Sequence, residues 1–189
     1  MEKVLPYDRA IVRQETGYWC GPASTQIVLD SLGIHVPEPQ LAREIGTHTG
    51  GTDHIGLVTP ILNKHSDAGY FDVQMPADPP TSAQKDRLWA DITASINGGR
   101  GVVANIVAPP PNYPKAVAPS TISPAYSGGD VYHYVAVMGY ADTDIRRVWI
   151  ADSGFAPYGY WCSFDQLTSL IPPKGYAAAP GPATPAPVA

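Results

Sequence analysis

Cysteine is scarce in this chain, two among 189 residues, and that scarcity excludes a disulfide framework. There is no CxxC and no regular Cys/His spacing of the kind a structural zinc site needs, so no metal and no other cofactor is expected. Lys and Arg number only 12 against 17 Asp and Glu, for a formal charge of −5. They form no cluster, which excludes the concentrated positive charge that nucleic-acid backbones demand. No apolar run approaches the length of a membrane span, and the opening MEKVLPYDRAIVRQE lacks the uninterrupted apolar core of a secretory signal. The expectation is a chain made in a cytoplasm, with no membrane insertion. Internal repeats are missing too. What remains, 44% hydrophobic and 15% charged residues, is the composition of one globular domain.

One of the two cysteines stands in QETGYWCGPASTQIVLDSLG, residues Gln14 to Gly33, where a glycine-rich turn joins a helix. Ala23, Ile27, Val28 and Leu32 form its apolar stripe, Pro22 suits the first turn, and Gly33 ends it. The unpaired N–H groups and positive dipole end of a helix N-terminus stabilise a thiolate, so Cys20 is a candidate nucleophile. Gly21 would let backbone approach a bound substrate closely. Tyr18 and Trp19 are candidates for the walls of a substrate cleft, with packing against the core as the alternative. A Cys20–Cys162 disulfide would consume this thiol, and both cysteines are expected to be reduced.

Short helices follow through Leu41 and Ile45 and again from near Thr52, with Pro60 as a bend or break, and YFDVQMP alternates as a short strand. Thr81 with Gln84 forms a capping box for a helix that buries Leu88, Ile92 and Ile96. Beyond NGGRG the pattern changes to strands: VVANIVA, VYHYVAVMGY and RRVWIAD, with a last short helix capped by Ser163 and Gln166. Helices segregated before strands predict an α+β domain, a helical part packed on a C-terminal antiparallel sheet. Its predicted extent is residues 1–176. Residues 177–189 have the Ala/Pro composition of a semi-rigid linker. A long proline-rich connection, Ala108 to Gly129, precedes His133, and its Pro109–Pro124 part is a candidate lid or specificity wall beside the cleft.

His133 is the one histidine set in an apolar strand. A hairpin turning about Asp142 and Thr143 would place Asp152 directly opposite it; a register shift of two would keep both on one face, and a shift of one would separate them. Carboxylate beside imidazole beside thiol is the logic of a nucleophilic triad. Gln14 can donate a side-chain N–H beside the Cys20 backbone N–H to an oxyanion, a contribution of about 3 kcal/mol. His54 is a rival base, but it lies at a predicted helix start, where the dipole opposes an imidazolium. His35, His48 and His65 read as solvent-facing, and Asp53 as a cap, surface or turn residue.

In the order Gln14, CGPAS from Cys20, GGT from Gly50, HYVAVMGY from His133 and VWIADS from Val148, these motifs resemble the papain-like cysteine peptidases of the bacteriocin-processing, double-glycine type. The resemblance implies a papain-like fold in which Cys20 is the nucleophile, His133 the general base and acid, Asp152 the orienting residue and Gln14 the oxyanion donor. The proline-rich insertion and the Ala/Pro segment depart from the transporter-linked members and look like the N-terminal peptidase module of mycobacteriophage endolysins. That likeness implies an endopeptidase acting on cross-links or stem peptides of bacterial peptidoglycan, reaching the wall after holin-dependent release. It also implies downstream lytic or wall-binding domains in the full-length chain. The alternatives are an N-acetylmuramoyl-L-alanine amidase, a protein or leader-peptide processing peptidase, and a wall-binding module with a vestigial triad.

Overall fold

A computed structural model describes residues 1–182 of the chain. In order, the elements are β1 (Glu2–Val4), α1 (Cys20–Ser31), α2 (Glu38–Ile45), α3 (Thr59–His65), β2 (Phe71–Gln74), α4 (Ser82–Asn97), β3 (Val102–Ala108), β4 (Val131–Asp142), β5 (Arg146–Ala151), β6 (Gly159–Ser163), α5 (Phe164–Leu170) and β7 (Gly175–Ala178). Among the described residues the strands form one seven-stranded sheet, ordered β2-β7-β3-β4-β5-β6, with β1 also on β4. Every pairing is antiparallel. The fold is α+β and papain-like.

Local signals explain most of the helices. The Thr81 hydroxyl accepts the Gln84 N–H while the Gln84 side chain accepts the Thr81 N–H, closing the expected capping box on α4. Ser163 caps α5 through the Gln166 N–H at 3.1 Å. Pro60, expected as a bend or break, lies in the first turn of α3, where its missing N–H costs no helix bond. Strand β4 is the spine of the core. Every residue from His133 to Ala141 is buried, with α1 and α4 both packed on it.

Two expectations change. The domain does not stop at Tyr176, because Ala177 and Ala178 are buried in β7 and pair with Asp72 and Phe71 of β2. Alanine is a weak strand former, and here backbone pairing with β2 on one side and β3 on the other holds it in the sheet. The remainder of the expected linker lies, from residue 183, outside the described residues.

The hairpin register also differs. Asp142 pairs with Arg146, so the loop is Thr143–Ile145, and Gly139 still faces Trp149. Continued regularly, that ladder would set Asp152 opposite Ala136, three positions from His133 and on the other face. Met138 breaks the progression: Val137 faces Ile150, leaving Met138 as an extra, bulged residue. Beyond the bulge the ladder ends at Ala136 and Ala151; the same register carried one step further would set Asp152 opposite Val135, diagonal to His133 and on its face, where the two side chains meet. The two side chains are thus diagonal neighbours, not the direct pair that a turn about Asp142 and Thr143 predicts.

Candidate active site

Cys20 opens α1, His133 is third in β4, and Asp152 follows the last residue of β5, so three elements converge. His133 Nε2 lies 2.8 Å from Asp152 Oδ1. That leaves Nδ1 for Cys20, which lines the same cleft and whose thiol feels the charge of the ring. All three groups are buried, Asp152 completely.

The electrostatics of the three groups agree. Burial would raise the Cys20 pKa, but the hydrogen bond and charge of His133, with the backbone N–H groups of Tyr134 and Gly21, bring it below its ordinary value. Burial would lower that of His133, but the charge and hydrogen bond of Asp152, then those of Cys20, raise it. Burial opposes ionisation of Asp152 as well, and His133, Tyr126 and the Gly154 N–H together hold it below the usual carboxylate range. Thiolate, imidazolium and carboxylate are therefore mutually favoured. The N-cap of α1, Trp19, makes no side-chain capping bond, which keeps the first N–H groups of the helix available at the sulfur. Cys162 is the contrast: both thiols are free, but burial pushes this one up to about 12.

Gln14 is tied to the residue after Asp152. Its N–H donates to the Ser153 carbonyl at 3.0 Å and its Oε1 accepts the Ser153 hydroxyl at 2.9 Å. Nε2 donates one hydrogen to the Thr16 carbonyl at 2.7 Å and has a second to give. Next door, Glu38 at the start of α2 accepts the Glu15 N–H at 3.0 Å and steadies this loop.

The cleft beside the sulfur has a volume of about 210 Å³ and is lined by Cys20, His133, Gly50–Asp53, Asn105, Tyr132, Tyr134 and Lys174. Asp53, read from the sequence as a cap, surface or turn residue, is part of this wall. Gly21 is not: it is buried, and a β-carbon there would collide with the Thr52 side chain, so the close approach it permits is to Thr52. Tyr18 and Trp19 meet edge to face and wall a neighbouring groove of about 440 Å³ with Pro39, Arg43 and His48. The rival base His54 is exposed and is not among the cleft residues.

The proline-rich connection is also placed differently from a lid. No residue of 109–124 lines the cleft. Instead it runs along the outer strand: Ala116 bridges Cys162, Val117 N–H donates to the Trp161 carbonyl at 2.9 Å, and the Gln166 side chain donates to the Tyr113 carbonyl at 2.8 Å. It covers the free edge of β6. Tyr126, Tyr160 and Lys174 are site residues that pattern reading misses, since none belongs to a periodic segment or a motif.

With this geometry in hand, the chain can be compared with known proteins. The Peptidase_C39 like family matches residues 7–167, from ahead of Gln14 to beyond Asp152. The chain belongs to that family. It is a cysteine peptidase. Solved structures share its fold: a C39-like peptidase from Bacillus anthracis is 15% identical, with a TM-score of 0.59, covering 95% of this chain and 98% of that one. A double-glycine-motif protease from an AMS/PCAT transporter, in complex with the leader peptide, is 13% identical, with a TM-score of 0.53 and coverage of 96% and 99%. The peptidase domain of Streptococcus ComA, a bifunctional ABC transporter, is 16% identical, with a TM-score of 0.52 and coverage of 94% and 98%. A curated relative, an uncharacterized protein of Methanothermobacter marburgensis, is 46% identical over 57 residues, 30% of this chain and 40% of that protein. The match therefore spans less than half of this relative's length. Among the described residues of this peptidase no helix is long and apolar enough to cross a membrane.

Proposed function

We propose that the peptidase hydrolyses peptide bonds in the stems or cross-links of bacterial peptidoglycan, with Cys20 as nucleophile, His133 as base and acid, Asp152 as its orienting partner and Gln14 as oxyanion donor. In this mechanism the thiol proton resides on His133 Nδ1, and the thiolate attacks the scissile carbonyl carbon. The Cys20 N–H and the second Gln14 amide hydrogen receive the oxyanion. Collapse breaks the C–N bond as Nδ1 hands its proton to the leaving amine, leaving a thioester. Water, deprotonated at Nδ1, attacks the thioester carbonyl, and the products are a carboxylic acid and the regenerated thiol.

The observation that carries the substrate class is the cleft wall, which sets Asp53 and Lys174 in the same small space as the sulfur. A wall peptide offers both matching charges, an amino group on its diamino acid and free carboxylates along its stem. In this reading the enzyme reaches the wall from the cytoplasm after holin action.

The test is digestion of purified mycobacterial peptidoglycan followed by mass spectrometry of the new ends. Amino and carboxyl ends within the stem or cross-link are expected. Ends at the lactyl–alanine bond would make it an amidase, and cleavage confined to a double-glycine leader would move it to leader processing. Asp53→Ala and Lys174→Ala should each raise KM by about fivefold with kcat within twofold, the scale of exposed charge pairs; unchanged KM in both variants removes these residues from recognition.

Gly154→Ala tests the mechanism. A methyl group there would stand 2.8 Å from Cε1 and 3.2 Å from Nε2 of His133, and 3.3 Å from Gln14 Oε1. Displacing the ring by a fraction of an ångström should cut kcat/KM roughly a hundredfold. A variant that folds and keeps wild-type kcat/KM would separate the reaction from His133.

A further inference from the structure

The Asp152 carboxylate receives more donors than a triad needs. On Oδ1 converge His133 Nε2 at 2.8 Å and the Gly154 N–H at 3.1 Å; on Oδ2, the hydroxyls of Tyr126 at 2.7 Å and Tyr160 at 2.9 Å. A carboxylate has about four acceptor sites, so every one is used. Tyr160 belongs to β6, while Tyr126 belongs to the proline-rich connection between β3 and β4. Its ring stacks on Phe155 with centroids 3.8 Å apart and meets His133 edge to face at 6.1 Å, and Phe155 meets His133 at 5.4 Å. Together these rings wall the imidazole–carboxylate pair. The Ala125 N–H donates to the Ala156 carbonyl at 2.9 Å, fixing the backbone beside Tyr126.

We propose that Tyr126 and Tyr160 are positioning residues of the peptidase: their hydroxyls clamp Oδ2 of Asp152 so that only Oδ1 addresses His133, and the proline-rich connection serves to deliver Tyr126. The proposal rests on the catalytic reading of Cys20, His133 and Asp152. Two donors on Oδ2 block rotation of the carboxylate and leave no site for a proton unless a tyrosine withdraws. Burial, then the charge of Asp152, raises the pKa of both phenols well above the ordinary value, so both remain donors throughout the working pH range. The remaining titratable groups here are His133 from β4, Cys20 beyond it, and Cys162 on β6, which stays protonated.

The test is the rate of Cys20 alkylation by iodoacetamide between pH 3 and 9, with the modified residue identified by mass spectrometry. It needs no knowledge of the peptide substrate. Removing a donor from Asp152 raises its pKa, so in Tyr126→Phe the acid limb should move up by about one pH unit, and the rate on that limb should fall about tenfold. Tyr160→Phe should act in the same direction, and it carries the test if Tyr126→Phe does not fold. On peptide, both variants should lose kcat with KM within twofold. A purely structural role would lower the folded fraction at every pH and leave the limb in place. Superimposable limbs in wild type and both variants overturn the proposal alone. A wild-type Cys20 that reacts only as an ordinary thiolate, above about pH 8, overturns both this proposal and the catalytic reading.

Discussion

Cys20→Ala should lower kcat/KM by at least roughly a thousandfold while the fold persists, because the proposed nucleophile is the one thiol among the described residues that line the cleft. Cys162 cannot replace it: it lies on β6 outside the cleft, its thiol donates to Gln166 Oε1 at 3.6 Å, and burial pushes it up to about 12, so it remains protonated at neutral pH. The change removes one sulfur from a residue 8% exposed at the start of a helix, so thermal unfolding should shift by only a few degrees. One equivalent of iodoacetamide should silence the wild type, and chelators should leave it active. Hydrolysis by the alanine variant at the wild-type rate would place the chemistry elsewhere.

Asp152→Ala should carry the largest combined loss. It strips the acceptor from a buried imidazole, two buried hydroxyls and the Gly154 N–H together, leaving four donors without their partner. Breaking a buried pair from one side costs about 3–5 kcal/mol, a large fraction of a domain's stability. Activity should fall to the level of Cys20→Ala, since the imidazole loses both its tautomer and its stabilised cation. The deficit should depend on pH in a defined way. Asp152 is held below its ordinary pKa, so its contribution is present above the unfolded value near pH 4 and is lost as pH falls through the folded one. His133 is raised, so its contribution is complete below the unfolded value near 6.5 and is lost as pH climbs towards the folded one. Urea midpoints should therefore separate the two proteins most at about pH 5. A gap that is constant from pH 3 to 8 would mean that Asp152 is not ionised beside an imidazolium.

Much of this site is legible in short-range pattern. Cys20 announces itself because a glycine-proline pair and an apolar stripe mark a helix start, and His133 because it interrupts an otherwise apolar strand. Capping at Thr81 and Ser163 follows from side chains three residues apart, a range that local reading covers well. Register does not. Met138 looks like any other apolar strand residue, and what makes it a bulge is the length of β5 opposite, a comparison between two strands. Tyr126 is harder still, sitting 26 residues from Asp152 in an aperiodic loop whose prolines suggest only irregular backbone. The alanines of β7 hide for a different reason: their composition matches a tether, and only the presence of β2 and β3 on either side makes a strand of them.

The surplus residue in β4 has a further consequence for how this hairpin can change length. Loss of any one residue between Tyr134 and Met138 can be absorbed by straightening the ladder, with imidazole and carboxylate still within reach. The opposite strand holds no such slack, and shortening it by one would widen a mismatch already present. Over evolutionary time, natural gaps in this hairpin should accumulate on the histidine side and be missing from the side that leads to the aspartate.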